Sequence, residues 1–338
     1  MMREPWFWRS DTITAKVISV ALAPFGNLYN TVQKLKWQSA QQTLAPLPII
    51  CVGNASLGGV GKTPFAIEVQ SLLNSDTRRT AFLSRGYGGH LAGPVRVCRS
   101  SHHANDVGDE PLILASHAPC FISKDRVAGA LAAAEQNIDV LIMDDGFQNH
   151  HLEKTCSLLL VDNEDPAGNG LVFPAGPMRE PFQQALARAD AIIAVMQTAN
   201  QSINKTISDN AGDKPIFTAR IEPVITDLPE KAVAFCGIGK PEKFFQTLKR
   251  NNVQLKECYS FADHHIYTQA ELDRMKQAAS RVGAALITTE KDFVRLAETD
   301  REGIKVLPIT MALNDKVGLQ KILLSAIDQW HARAKPTS

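Results

Sequence analysis

The sequence predicts an α/β fold: a parallel sheet with helices on both faces, a second smaller α/β domain after it, and an amphipathic helical segment before it. Three observations lead there. After Pro48 short apolar runs alternate with helical stretches. The first of these runs passes directly into a glycine-rich turn and then a helix. Beyond a connector at 222–231, with Pro223, Pro229 and several charges, a second strand–helix alternation begins. The first series predicts strands at 48–53, 79–84, 138–144, 157–162 and 190–196, with helices at 62–74, 110–117 and 125–136. The second predicts strands at 231–236, 284–289 and 304–309, with helices at 241–250, 268–281, 290–298 and 315–331. The expected division is 1–45, 46–221 and 222–338, with a hinge near 220–230. No internal repeat or low-complexity tract appears.

Composition fits a folded chain of about two domains. The 338 residues are 44% hydrophobic and 21% charged, which excludes wholesale disorder and fibrous classes. Lys and Arg number 36 against 35 Asp and Glu, so the chain lacks the basic excess that phosphate neutralisation by a nucleic-acid binder needs. None of the six cysteines forms a C-x-x-C pair and most lie in apolar runs, which points to buried thiols in a reducing compartment.

The first 48 residues differ from the rest. They hold three of the four tryptophans (Trp6, Trp8, Trp37) and five basic residues against two acidic ones, a net +3 that leaves −2 for the remaining 290. The apolar run Val17–Ala23 ends at Pro24 and is too short to span a bilayer. Ala21-Leu22-Ala23 imitates a signal-peptide cleavage site, but Pro24 would follow the cut. An aromatic, basic, moderately apolar segment is expected to lie in the membrane interface. The alternative is a helix packed on the protein body.

Residues 49–63 carry the first chemistry. An apolar strand leads into Ser56-Leu57-Gly58-Gly59-Val60-Gly61-Lys62-Thr63 and a helix. The strict G-x-x-x-x-G-K-[ST] pattern fails only at Ser56. The glycines let backbone N–H groups turn toward a phosphate, and the helix N-terminus adds its positive end. Lys62 suits the β- and γ-phosphates, and the Thr63 hydroxyl suits Mg²⁺. This is a P-loop NTPase-like element, and its ligand is a nucleotide with Mg²⁺. Ser56, Gly58, Gly59, Val60, Gly61, Lys62 and Thr63 form the expected nucleotide site. The apolar strand at 138–143 ends in Asp144-Asp145, where a Walker-B aspartate holds Mg²⁺. Successive strand residues point to opposite faces, so one of the two is expected at the metal.

Other polar strings surround the loop: Ser84–Gly89, Asp106–Pro111, Lys124-Asp125-Arg126, Pro174–Pro181 and Asp263-His264-His265. Singly, each has a bland reading as cap, turn or solvated ion pair. In order along the chain, they resemble the tetraacyldisaccharide 4'-kinases, the lipid A 4'-kinase family of Gram-negative bacteria. The resemblance runs from Val52-Gly53-Asn54 and the Gly-Lys-Thr-Pro turn to Thr289-Glu290-Lys291-Asp292. It includes Ser84-Arg85-Gly86-Tyr87-Gly88-Gly89, Gly108-Asp109-Glu110-Pro111, Asp144-Asp145-Gly146-Phe147-Gln148, Gly168-Asn169-Gly170, Pro174–Pro181, Cys236–Gly239 and Asp263-His264-His265.

The resemblance implies transfer of the ATP γ-phosphate to the 4'-hydroxyl of an acylated glucosamine disaccharide 1-phosphate, at the cytoplasmic face of the inner membrane. It implies Asp109 as the group that accepts the hydroxyl proton and His264 as its partner. Arg85, Arg126 and Arg179 are candidates for phosphate contacts because a guanidinium offers a two-pronged fork. Tyr87 and Gln148 lie in the matching motifs as substrate contacts, and Asp145 and Glu180 are further candidates to support Mg²⁺. No obligate protein partner is implied. Asn149, the stretch Asn163–Ala167 and Lys240 depart from the family's pattern, all in loops around the acceptor. The competing reading is a membrane-associated P-loop ATPase switch that binds a protein partner. Such a switch needs no base beside a sugar hydroxyl.

Overall fold

The computed structural model describes residues 5–74 and 78–334. A single 3-10 turn (Trp6–Trp8) precedes helix α1 (Ile13–Ser39). The first α/β series then runs β1 (Ile49–Asn54), α2 (Lys62–Asn74), β2 (Thr80–Ser84), β3 (Val95–Arg96), α3 (Ala104–Val107), α4 (Asp109–Leu114) and β4 (Cys120–Ile122). It continues with α5 (Arg126–Ala134), β5 (Val140–Asp144), β6 (Cys156–Asp162), α6 (Phe182–Arg188), β7 (Ala191–Met196), α7 (Lys205–Ala211) and β8 (Ile216–Pro223). The second comprises β9 (Lys231–Cys236), α8 (Pro241–Arg250), β10 (Gln254–Ser260), α9 (Gln269–Arg281), β11 (Ala285–Thr289), α10 (Glu290–Phe293) and β12 (Ile304–Leu307). Strand β13 (Ile309–Leu313) and helix α11 (Lys316–Ala334) close the chain.

Nine strands form the large sheet in the order β13-β8-β7-β6-β1-β5-β2-β4-β3. Its seven inner strands are parallel, and β3 and β13 run antiparallel at the two edges. Strand β5 shows why it needs cover on both sides: Val140 and Ile142 enter one core, Leu141 and Met143 the other. Four parallel strands, β10-β9-β11-β12, make the smaller sheet, with α8 against one face and α9 against the other.

Chain order and spatial grouping part company at the end. The expected boundary assigns everything after 222 to the second domain. Instead, β13 pairs with β8, Met311 facing Ile221 and Leu313 facing Ala219. Helix α11 then packs on α2, burying Leu319, Leu323 and Ile327 in the core that holds Phe65, Val69 and Leu72. Lys316 pairs with Glu68 at 2.7 Å, and Gln320 donates to the Leu72 carbonyl at 2.8 Å. The physical reason is exposure. Without β13 and α11, the β8 edge and the outer face of α2 would leave apolar surface in water.

The N-terminal segment also differs from expectation. The helix does not stop at Pro24 but continues to Ser39. Gly26 permits close packing, since a Cβ there would stand 2.7 Å from the Val172 carbonyl oxygen. Trp8 is buried, donates to the Pro174 carbonyl at 3.0 Å and meets Phe173 edge-on. Trp37 lies under the Arg188 guanidinium, 4.4 Å from its ring centre. Two of the expected interfacial tryptophans therefore anchor the segment to the body. What the helix turns outward is apolar and basic: Ile13, Val17, Val20, Phe25, Leu28, Val32 and Leu35, with Lys16, Lys34 and Lys36 exposed as well. No helix among the described residues is long and apolar enough to cross a membrane. Two of the charges in the opening count, Arg3 and Glu4, lie outside the described residues.

Candidate active site

The turn between β1 and α2 has the backbone its sequence demands. Gly58 and Gly61 adopt positive φ, 122° and 91°. A Cβ at Gly58 or Gly59 would meet nothing within 4 Å, so this stretch faces open space. At Gly61 it would press on Met311, in the strand that the C-terminal return brings in, and on Ile221 of its partner β8. The Val60 side chain is buried in the core, so only its backbone can serve a ligand. Ser56 bridges to Met178, Leu57 donates to the Pro177 carbonyl at 2.7 Å, and Arg179 donates to the Ala55 carbonyl at 2.7 Å. The rigid Pro174–Pro181 string is thus a strap along the phosphate loop.

Beneath it, Thr63 Oγ1 donates to Asp144 Oδ2 at 3.0 Å. Asp144 is almost wholly buried, and its other oxygen has no partner. Burial, then Glu110 and Asp145, push its carboxyl up to about 7. A buried, half-satisfied carboxylate beside a hydroxyl is a donor pair that fits Mg²⁺. Asp145 is differently placed. It turns away at positive φ and takes the Arg179 fork at 2.8 and 3.3 Å, with Lys62 at 3.6 Å. Its burial works upward, but Lys62 and Arg179 outweigh it and hold the carboxyl below the usual range.

Glu180 accepts both prongs of Arg188, at 2.6 and 2.8 Å, and a bond from Gln148 at 3.1 Å. Its oxygens are thereby engaged by a cation already, which is the physical argument against a place for it at the metal. Gln148 also donates to the Asn54 carbonyl at 2.8 Å and accepts from Arg179 at 3.1 Å. Asn54, fully buried, accepts from Lys62 Nζ at 3.0 Å.

Across the cleft, α4 begins with Asp109, whose side chain is 5% exposed. Its Oδ2 lies 3.2 Å from His264 Nδ1 and 2.5 Å from Arg295 Nη2, both supplied by the smaller sheet. Burial alone would raise Asp109, yet His264, Lys291 and Arg295 outweigh it and hold the carboxyl well below the usual carboxylate range. Lys291 also pairs with Glu110 at 2.7 Å. His264 sits at positive φ and meets the Tyr87 ring edge-on at 6.4 Å. Arg126 is buried, bonds the Ser123 carbonyl and leaves Nε without a partner. Burial, then its neighbour Arg85, push it down to about 10. Arg85 itself is exposed.

The structure therefore gathers Thr63, Asp144, Lys62, Asp145, Arg179 and Gln148 around the loop, and Asp109 with His264 and Tyr87 across the cleft. Sequence reasoning missed Asn54, Arg188 and Arg295. Asn54 lies in the matching Val52-Gly53-Asn54 string but was given no role, and Arg188 carries no motif signal of its own. Arg295 stands three residues after the Asp of Thr289–Asp292, the spacing of one helical turn.

Known proteins are similar to this chain over most of its length. The family described as tetraacyldisaccharide-1-P 4'-kinase matches residues 18–328. A tetraacyldisaccharide 4'-kinase of Rhodopseudomonas palustris (strain HaA2) is 39% identical over 344 residues, covering 99% of both proteins. One of Rhodospirillum centenum is 39% identical over 327 residues, covering 95% of this chain and 96% of the other. The crystal structure of LpxK from Aquifex aeolicus in complex with ATP superposes with a TM-score of 0.75 at 28% identity, covering 92% of this chain and 99% of that one. The glycine-rich turn, the buried Thr63–Asp144 pair and the match across residues 18–328 lead to one conclusion: this chain belongs to the tetraacyldisaccharide-1-phosphate 4'-kinase family.

Proposed function

We propose that this chain transfers the γ-phosphoryl group of ATP to the 4'-hydroxyl of a tetraacyldisaccharide 1-phosphate lipid, giving the 1,4'-bisphosphate of lipid A biosynthesis. The observation that carries the reading is the contact of Asp109 with His264 at 3.2 Å, next to Glu110, whose charge acts on Asp144. A nucleotide switch has no use for a carboxylate held in that place. In the proposed reaction the sugar oxygen bonds to the γ-phosphorus while the bond to the β–γ bridging oxygen breaks. ADP leaves with that electron pair, and the hydroxyl proton passes to Asp109.

Positioning and charge account for the rest. Lys62 and the loop N–H groups cradle the β- and γ-phosphates, and Arg85, Arg126 and Arg179 offer guanidinium groups to phosphate oxygens. Mg²⁺ would be held by the Thr63 hydroxyl and the unpartnered oxygen of Asp144, and it supplies neutralisation of charge on the phosphates. Tyr87, exposed beside His264, is suited to flank the acceptor sugar. The outward apolar residues of α1, with exposed Lys16, Lys34 and Lys36, support attachment to the cytoplasmic surface of the inner membrane of a Gram-negative bacterium, where an acylated acceptor resides.

The direct test is incubation of the purified protein with Mg-ATP and the disaccharide 1-phosphate lipid in detergent, followed by mass spectrometry. The expected product is heavier by one phosphoryl group. Absence of product with ATP hydrolysis retained would overturn the kinase reading in favour of a switch.

A further inference from the structure

Arg295 lies outside every motif string above, yet it holds the acceptor side together. Its side chain is 5% exposed. Nη2 lies 2.5 Å from Asp109 Oδ2 and 3.2 Å from His264 Nδ1. Nη1 donates to the Gly237 carbonyl at 2.9 Å and to Asp292 Oδ1 at 3.0 Å. Asp292, fully buried, also accepts from the Gly237 N–H, the Tyr267 hydroxyl and the Thr289 hydroxyl. The His264 N–H donates to the same Gly237 carbonyl at 3.2 Å. One guanidinium thus joins the large sheet's Asp109 to a rigid polar cluster in the small sheet.

We infer that Arg295 is a positioning residue for phosphoryl transfer: its Nη2 group holds Asp109 and His264 in one geometry, and its Nη1 group fixes both to the smaller sheet. This rests on the reading of Asp109 as the proton acceptor. His264 Nδ1 stands 3.2 Å from both Arg295 Nη2 and Asp109 Oδ2, so guanidinium, imidazole and carboxylate close one three-way contact. Asp109 Oδ1 already takes the Glu110 N–H at 3.0 Å. With both oxygens held by donors, the carboxylate is weakly basic and accurately aimed. That suits a loose transition state, in which the hydroxyl gives up its proton late. A brace between two bodies would need only the Lys291–Glu110 pair. The forked contact to both members of the acceptor pair is what a brace does not require.

The charged groups facing Asp109 are Arg295 and Lys291 from α10 and the turn after it, His264, and its neighbour Glu110. Arg295→Met removes one cation and the fixed aim of Asp109 together. Its plateau kcat should fall about tenfold or more, since misplacement alone is that costly. KM for ATP should stay within about threefold, because Arg295 touches no phosphate-loop residue. A wild-type plateau kcat in a folded Arg295→Met protein overturns the inference.

If thermal melting shows that Arg295→Met does not fold, Arg295→Lys decides. It keeps the charge and loses the fork, so the plateau should drop while KM for ATP stays in place. Full wild-type turnover in Arg295→Lys overturns the inference as well. Asp109→Asn separates the two layers. Turnover retained there removes Asp109 from the reaction and the inference with it. A dead Asp109→Asn beside wild-type-like Arg295 variants removes Arg295 alone.

Discussion

Thr63 and Asp144 meet through one hydrogen bond of 3.0 Å, and that bond leaves the second Asp144 oxygen buried and unshared. The neighbouring Asp145 spends its carboxylate on Arg179 and Lys62. Two adjacent aspartates thus have unlike surroundings. Asp144→Asn is expected to reduce turnover on the order of a hundredfold or more and to raise the Mg²⁺ concentration needed for half-maximal rate. Asp145→Asn should act mainly through the freed Arg179 and Lys62, with a smaller change in the Mg²⁺ requirement. Magnesium titrations of steady-state rate check both, and the reverse order would relocate the metal.

Helix α1 cannot be removed cleanly to test for membrane attachment, because Trp8 and Gly26 are part of its seat on the 168–178 loop. Single charges on its outer face are better probes. Val17 and Leu28 are 62% and 63% exposed, so Val17→Asp and Leu28→Asp should leave folding intact. Each forfeits roughly 1.5–3 kcal/mol of apolar burial at a bilayer, enough for about a tenfold loss of vesicle binding. Flotation with anionic lipid vesicles measures it. Binding unchanged in both variants places the attachment elsewhere.

The C-terminal return makes a prediction about stability. Leu323 is fully buried between α11 and α2. Leu323→Ala should cost about 2–5 kcal/mol. The loss should appear in the unfolding of the nucleotide-binding sheet, although the residue lies a hundred positions beyond its last parallel strand. Denaturant melts with and without ATP provide the readout: if ATP ceases to stabilise the altered protein, the affected unit is the one that binds it.

Cysteine reactivity should divide the six thiols sharply. Cys51, Cys120, Cys156 and Cys236 are buried, and burial pushes Cys51 up to about 11 and Cys236 up to about 12. Cys98 is exposed, and bonds from Ser100 and then Ser101 bring it down to about 7. The thiolate is the nucleophile, so its fraction grows as pH rises through 7. Iodoacetamide at pH 7.5 should label Cys98 first, with a rate that falls several-fold by pH 6. Peptide mapping identifies the site, and labelling of Cys51 ahead of it would contradict this packing.

The sequence by itself determined the parallel-sheet class, the nucleotide turn and most of the residues around it. Those features are local: a buried parallel strand must be apolar throughout, a phosphate turn needs glycine at fixed positions, and the helix after it starts at Lys62. Tertiary structure alone decided what each polar group does. Asp144 and Asp145 are neighbours in sequence, and only Thr63, Arg179 and Lys62, arriving from elsewhere, make one open to a cation and the other an ion-pair partner. Strand β13 carries no signal naming β8 as its partner, because register between segments some ninety residues apart is set by what remains uncovered. Arg295 was unreadable for the same reason: its meaning lies in the distance to Asp109, 186 positions away in sequence.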